Sequence, residues 1–286
     1  GEKVVLTARG RVFAAPQKQG RLVAAGRDEG VRYRSARFMP DGQSIIALSD
    51  KSGEVELWKL PASGVGAPEQ LTSNGDVLRW DALPSPDGKL IASYDKNLRL
   101  WMYDVEKKTH TKIDQNEADD FTDLTWSPDS KWLAYVSWAP NTFRIVKLWS
   151  AATGQTTAVT TDRFDSTSPA FSADGKWLFL LSDRNLKTVV SSPWGPNQPD
   201  PFLDKTTKIY GLALKPDLRW PFQPKDELQA AREKAEKEKK KEESKDGEKK
   251  DGDKDAKKEP TKVDIDLNGI AARLFEVPVP PGNYGR

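Results

Sequence analysis

Four times along the chain, a short polar turn is followed by an apolar run of strand length. Met39-Pro40-Asp41-Gly42 leads into Ile45-Ile46-Ala47-Leu48, and Ser85-Pro86-Asp87-Gly88 leads into Leu90-Ile91-Ala92. Ser127-Pro128-Asp129-Ser130 leads into Trp132-Leu133-Ala134-Tyr135-Val136, and Ser172-Ala173-Asp174-Gly175 into Trp177-Leu178-Phe179-Leu180-Leu181. Proline pre-sets φ at the first central turn position, Asp bonds its own backbone, and Gly takes a positive φ without a Cβ clash. The apolar runs are too continuous for a strand with one wet face, so both faces are expected to be covered.

Around each turn the pattern predicts four strands. A first strand runs into the turn (Tyr33 to Phe38, Leu78 to Leu83, Phe121 to Trp126, Ser168 to Phe171), and the apolar run is the second. A third follows in Val55–Leu60, Leu98–Tyr103 and Val146–Ser150. A short polar fourth strand (Gln70–Thr72, Thr111–Ile113, Thr157–Thr160) suits an exposed outer edge. The turn aspartates are 46, 42 and 45 residues apart. A period in the forties with four short strands per repeat predicts an all-β protein, a β-propeller of WD-like Pro-Asp-Gly repeats.

Residues 1–224 are expected to hold the blades: a partial first blade lacking its first strand, then repeats at about 27–72, 73–114, 115–160 and 161–224. A Pro-, Asn- and Ser-rich loop around Trp194 interrupts the last repeat, and loops of that length commonly carry contacts. Residues 225–262 form a charged insert. Between Lys225 and Glu259 it holds about thirteen acidic and thirteen basic residues and almost nothing apolar after Leu228, so it reads as a disordered or partly helical polyampholyte. The pattern resumes at 263–286, which reads as the start of the next blade and leaves an incomplete ring.

Composition narrows the function classes. The net charge of +2 gives no global field for nucleic acid or an anionic membrane, and no run of eighteen apolar residues exists to span one. With no cysteine, disulfide scaffolds, thiolate metal sites and thiol nucleophiles are excluded. His110 is the single histidine, so any Ser-His-Asp arrangement within the chain must use it. It lies at the start of an outer strand, no Gly-x-Ser-x-Gly elbow accompanies it, and a surface histidine is the expectation. The four turn aspartates are explained by turn formation and fall one per blade, far apart on one rim. Asp251-Gly252-Asp253-Lys254-Asp255 opens like a calcium loop but has Ala256 at position six and Lys262 at position twelve, which rejects it. Gly64-Val65-Gly66 precedes Ala67-Pro68 and no helix, so it is no phosphate loop. The pairs Arg79-Trp80 and Arg219-Trp220 are expected to pack between blades rather than stack on a ligand. No catalytic, cofactor-binding or metal residue is assigned, no cofactor is expected, and the substrate-binding residues are unknown.

The repeats resemble WD-like propellers of the TolB and peptidase type. The order of several segments resembles something narrower. Gly30–Phe38 precedes the first turn; Phe202–Tyr210 is followed by Pro221-Phe222 and the charged insert; Asp264–Ile270 then runs to Val277-Pro278-Val279-Pro280-Pro281-Gly282-Asn283-Tyr284. This order is similar to the second propeller of tricorn-type serine peptidases, notably bacterial members. The resemblance implies a non-catalytic part of a seven-bladed propeller that guides peptide or unfolded-protein substrates to a downstream catalytic domain. It further implies contacts with the remaining domains of the parent chain, homo-oligomeric assembly, and a cytoplasmic location with periplasmic export as the alternative. The catalytic serine and histidine of that family lie beyond the segment matched, so none is carried onto a position here. The rival readings are a stand-alone protein- or peptide-interaction propeller and the propeller cap of a prolyl-oligopeptidase-like hydrolase.

The charged composition generates a first prediction. Limited trypsin digestion of the native protein is expected to cut first within residues 225–259, read by mass spectrometry; first cuts inside the repeats would contradict the insert assignment.

Overall fold

The computed structural model describes residues 2–187, 203–224 and 260–284. The strands form five antiparallel sheets, each built from a continuous run of the chain. The first holds β1 (Lys3–Ala8), β2 (Arg11–Pro16) and β3 (Val23–Gly26). The second holds β4 (Tyr33–Phe38), β5 (Ser44–Ser49), β6 (Glu56–Pro61) and β7 (Glu69–Gln70). The third holds β8 (Arg79–Pro84), β9 (Leu90–Asp95), β10 (Arg99–Asp104) and β11 (Thr109–Gln115). The fourth holds β12 (Thr122–Trp126), β13 (Trp132–Trp138), β14 (Arg144–Ser150) and β15 (Thr156–Ala158). The fifth holds β16 (Ser166–Phe171), β17 (Trp177–Ser182), β18 (Lys208–Ala213) and β19 (Leu274–Glu276).

The continuous apolar second strands have a direct explanation. Side chains alternate between the two faces of a strand, and each second strand packs against a different neighbour on each face. Ile45 and Ala47 of β5 join Val12 and Ala14 of the first sheet, whereas Ile46 and Leu48 join Ala82 and Ile91 of the third. Leu133 and Tyr135 of β13 face Ala92, Leu100 and Met102; Ala134 and Val136 face Leu178, Leu180 and Leu212 of the fifth sheet. Four apolar clusters therefore join five sheets in sequence, and none of them links the first sheet to the fifth. Among the described residues the arrangement is an open arc of blades.

The turn motif is a small hydrogen-bonded device. In the third sheet Ser85 donates its hydroxyl to Asp87 at 2.6 Å and accepts from the Leu90 amide at 3.0 Å. Ser127 with Asp129, and Ser172 with Asp174, repeat this at 2.7 and 2.6 Å. In the second sheet, where Met39 replaces Ser, Asp41 instead accepts from the amides of Gln43 and Ser44. Neighbouring turns also touch, since the Asp87 amide donates to Ser130 Oγ at 3.0 Å. Each carboxylate is engaged in its own turn, as turn formation requires.

Residues 274–276, expected to fall in the start of a further blade, belong instead to the fifth sheet. Phe275 and its neighbours pair with β18, so β19 is the fourth strand of the fifth sheet. The charged insert thus falls within a blade, between its third and fourth strands. A long insert hides this pairing in the sequence, because a three-residue outer strand carries almost no pattern of its own. Before reaching β19 the chain crosses the turns of the fourth and fifth sheets. The Val263 amide donates to Asp129 Oδ2 at 2.8 Å, Asp264 pairs with Lys215 at 2.5 Å, and Val263 and Ile270 enter the cluster between those sheets. On the opposite face of the fifth sheet, Trp220 lies over Gly211 and stacks on Phe275 with ring centroids 5.5 Å apart. A Cβ at residue 211 would sit 2.5 Å from that indole, so Gly is what admits Trp220 here.

Two substitutions separate packing from turn chemistry. Leu148→Ala, in the dry cluster between the fourth and fifth sheets, is expected to destabilise by about 3 kcal/mol in denaturant unfolding. Ser127→Ala, which loses the turn bond, is expected to cost about 1 kcal/mol. A larger loss for the serine would contradict the packing account.

Candidate functional site: the axial wall

β1 lies next to β4, β4 next to β8, and β12 next to β16, which places the first strands at the narrow, inner side of the arc. Polar contacts tie them across blades. From β4, Arg34 donates to the Arg79 carbonyl at 2.9 Å, Ser35 Oγ to the Trp80 carbonyl at 3.2 Å, and Arg37 pairs with Asp81 at 2.8 Å. Between β12 and β16, the carboxylate of Asp123 accepts from the Ser168 amide at 2.8 Å.

The first strands of the second to fifth sheets, β4, β8, β12 and β16, are bulged. The register slips between Arg34 and Arg37, Arg79 and Asp81, Thr122 and Thr125, and Thr167 and Ala170. Counting back six residues from each turn aspartate gives Ser35, Asp81, Asp123 and Ser168, and three of these four have positive φ (50°, 54° and 53° for Ser35, Asp123 and Ser168). Non-glycine residues reach that region seldom, and bulges re-aim side chains next to functional surfaces. Here the bulged residues are the ones that make the bonds between blades. The wall so formed is polar, with Arg37, Trp80 and Thr122 exposed and Asp81, Asp123 and Ser168 partly so.

Trp80 is not packed between blades as its sequence context suggested. It sits on the bulge of β8 and is 37% exposed. Its neighbour Arg79 points the other way and is buried. Arg79 Nη2 reaches Glu56 Oε2 at 3.2 Å and Asn74 Oδ1 at 3.0 Å, and both charged side chains are 4% exposed. Glu56 also accepts from Thr72 Oγ1 and the Gly75 amide, so each end of the buried pair is satisfied. Trp220 belongs to the aromatic group on the fifth sheet. Trp194 and the Asp251–Asp255 stretch lie outside the described residues.

His110 differs from the expected surface histidine. It stacks on Trp101 with centroids 4.6 Å apart, and Nδ1 lies 3.1 Å from Asn74 Oδ1. That oxygen also accepts from Arg79, so His110 carries its proton on Nδ1 and turns a bare Nε2 toward Arg79 Nη1 at 3.5 Å. Burial first, and then the positive charge of Arg79, depress its pKa to about 4. No serine stands within hydrogen-bond distance of the ring among its described contacts, and its partners are structural. The signal missed in the sequence was Trp101, two residues along β10 from Tyr103, the residue paired with His110. Among the described residues, no three metal-ligating side chains come together.

The sign of the His110 shift gives a prediction. Between pH 6.5 and about 4 the unfolded chain takes up a proton that the native state refuses, so stability falls as pH falls through that window. Wild type is expected to lose roughly 2 kcal/mol more than His110→Gln on acidification from pH 7 to 4.5, the full linkage being discounted for residual solvent. Equal losses in chemical denaturation would contradict the buried, neutral ring.

A family model described as the tricorn protease second beta propeller domain matches residues 1–286. A tricorn protease homolog of Saccharolobus solfataricus is 30% identical over 187 residues, covering 65% of this chain and 17% of the relative. Tricorn protease homolog 1 of Streptomyces coelicolor is 32% identical over 186 residues, covering 63% of this chain and 17% of the relative. The chain thus spans about a sixth of the length of these relatives. The crystal structure of the tricorn protease superposes over 100% of this chain and 25% of its own, with a TM-score of 0.74 and 18% identity, a likeness of fold. The chain belongs to the tricorn protease second β-propeller domain family.

Proposed function

We propose that this propeller segment conducts peptide or unfolded-protein substrates past its axial wall toward a catalytic domain elsewhere in a parent serine peptidase. The carrying observation is the wall itself: the first strands of four consecutive sheets, each bulged, present hydroxyls, carboxylates, a guanidinium and an indole. A path for varied peptides needs polar groups that wet and orient a chain without gripping one sequence. Fixing the wall by bonds between blades suits that task, because the lining stays ordered while substrate moves. The role is non-catalytic, since His110 is committed to Asn74, Trp101 and Arg79. Contact with the remaining domains of the parent chain, self-assembly and a cytoplasmic setting complete this reading.

Thr122→Trp places bulk on the exposed inner strand β12 beside Asp123 without touching the apolar clusters. In the full-length protein it is expected to lower kcat/KM for a peptide of about twenty residues at least fivefold while leaving a short fluorogenic peptide within twofold. Equal effects on both substrates, or none on either, would overturn the proposal.

A further inference from the structure

Tryptophan rings in this structure are nearly all put to use within it. Nine of the ten tryptophans are described, and eight of those have an engaged ring. Trp58, Trp101 and Trp138 lie under a Lys or Arg side chain. Trp126 packs edge-on against Trp149, Trp177 against Trp220, and Trp132 against the cluster between the fourth and fifth sheets. Trp80 is the exception. No aromatic ring or cation covers it among the described residues, it joins none of the four apolar clusters, and it is 37% exposed.

A single apolar side chain left wet on a surface needs no explanation of its own. What sets Trp80 apart is how firmly its backbone is held. It is the extra residue of the β8 bulge, since Arg79 pairs with Asp95 and Asp81 with Tyr94, which leaves nothing opposite Trp80. On one side of it, the Arg79 side chain is tied to Glu56 in the buried pair, and the Arg79 carbonyl accepts from Arg34 at 2.9 Å. On the other, Asp81 is ion-paired with Arg37 at 2.8 Å. The Trp80 carbonyl itself accepts from Ser35 Oγ at 3.2 Å. Three consecutive residues are thus fixed across the blade boundary, and the middle one presents a large ring at the axial wall. A side chain with two torsions on a fixed bulge loses little entropy when a ligand settles on it.

The neighbouring charges narrow what can settle there. Asp81 and Arg37 are paired with each other, so an incoming cation meets the guanidinium as well as the carboxylate, and an anion meets the reverse. The complement of an open indole face beside a neutralised pair is a second flat apolar ring, stacked or edge-on. We infer that Trp80 is a stacking platform for aromatic side chains of extended peptides, an inference that rests on the peptide-guiding role proposed above. One ring, open on its solvent side, gives a weak and quickly released contact, which suits passage along a wall.

Trp80→Ala removes the ring but keeps the carbonyl that Ser35 uses, and it opens no hole in an apolar cluster. The test uses the full-length protein, blocked with a serine-directed inhibitor so that peptides are bound and not cut. Fluorescein-labelled peptides, identical except for phenylalanine, leucine, lysine or glutamate at their central positions, are read by anisotropy. The phenylalanine peptide is expected to bind about fivefold more tightly than the leucine peptide, by a margin that does not shrink as salt rises. The lysine and glutamate peptides are expected to bind more weakly than leucine. In Trp80→Ala the margin is expected to fall to within about 1.5-fold, and in Trp80→Phe, which restores a ring, to stay near about threefold. A margin unchanged in Trp80→Ala, or a lysine peptide that binds most tightly, would overturn the inference while the guiding role stands. Equal binding of all the peptides would do the same; no binding of any peptide would overturn both.

Discussion

Everything in this structure depends on burying both faces of each sheet. A four-stranded sheet of six-residue strands is too small to be stable alone, and its two apolar faces can be dried only by the sheets on either side. That constraint turns β5, β9 and β13 into strands with no wet face, their alternate residues assigned to different neighbours. It also makes stability a sum over successive interfaces, as in repeat proteins, so a core truncation acts mainly on the interface it belongs to.

Apolar packing fixes the distance between blades but leaves their azimuth and register loose. Polar contacts supply those. On the inner side, the bulges give up regular ladder bonds so that Ser35, Asp123 and Ser168 can reach the next blade. Toward the outer side, the buried Glu56–Arg79 pair spans the second and third sheets, with Thr72, Gly75, Asn74 and His110 around it. A buried ion pair is seldom a large net gain, but removing either partner would strand the other charge, so such a pair specifies geometry more than it adds stability. The strap at 260–267 performs a related task on the turn side, bonding Asp129 and filling the gap between the fourth and fifth sheets.

The axial wall inherits its character from these arrangements. Its residues are polar because they face the opening, and ordered because they are the same residues that join the blades. Mechanical and functional roles therefore fall on one set of side chains, and the two can be separated experimentally only by substitutions that keep hydrogen bonding while removing charge. Trp80 and Arg79 illustrate how sharply the wall divides its surroundings: adjacent in sequence, they end on opposite sides of β8, one at the opening and one in a buried ion pair.

The sequence by itself determined the repeat, the turn chemistry and the burial of the second strands. These follow from local rules: Pro, Asp and Gly set backbone angles, and an unbroken apolar run of strand length demands cover on both faces. The order of segments carried the family resemblance as well. Tertiary structure decided the rest. The bulges of the first strands depend on bonds to a blade some forty-five residues away, for which no local signal exists. The placement of β19 depended on pairing across the charged insert, so residues 263–286 looked like a beginning when they contain the completion of a blade. His110 read as a surface residue because its neighbours in the chain are threonines, while Trp101, Asn74 and Arg79, which bury and neutralise it, come from other strands and loops. Contacts made at a distance along the chain set the environment of a side chain, and its environment sets its chemistry.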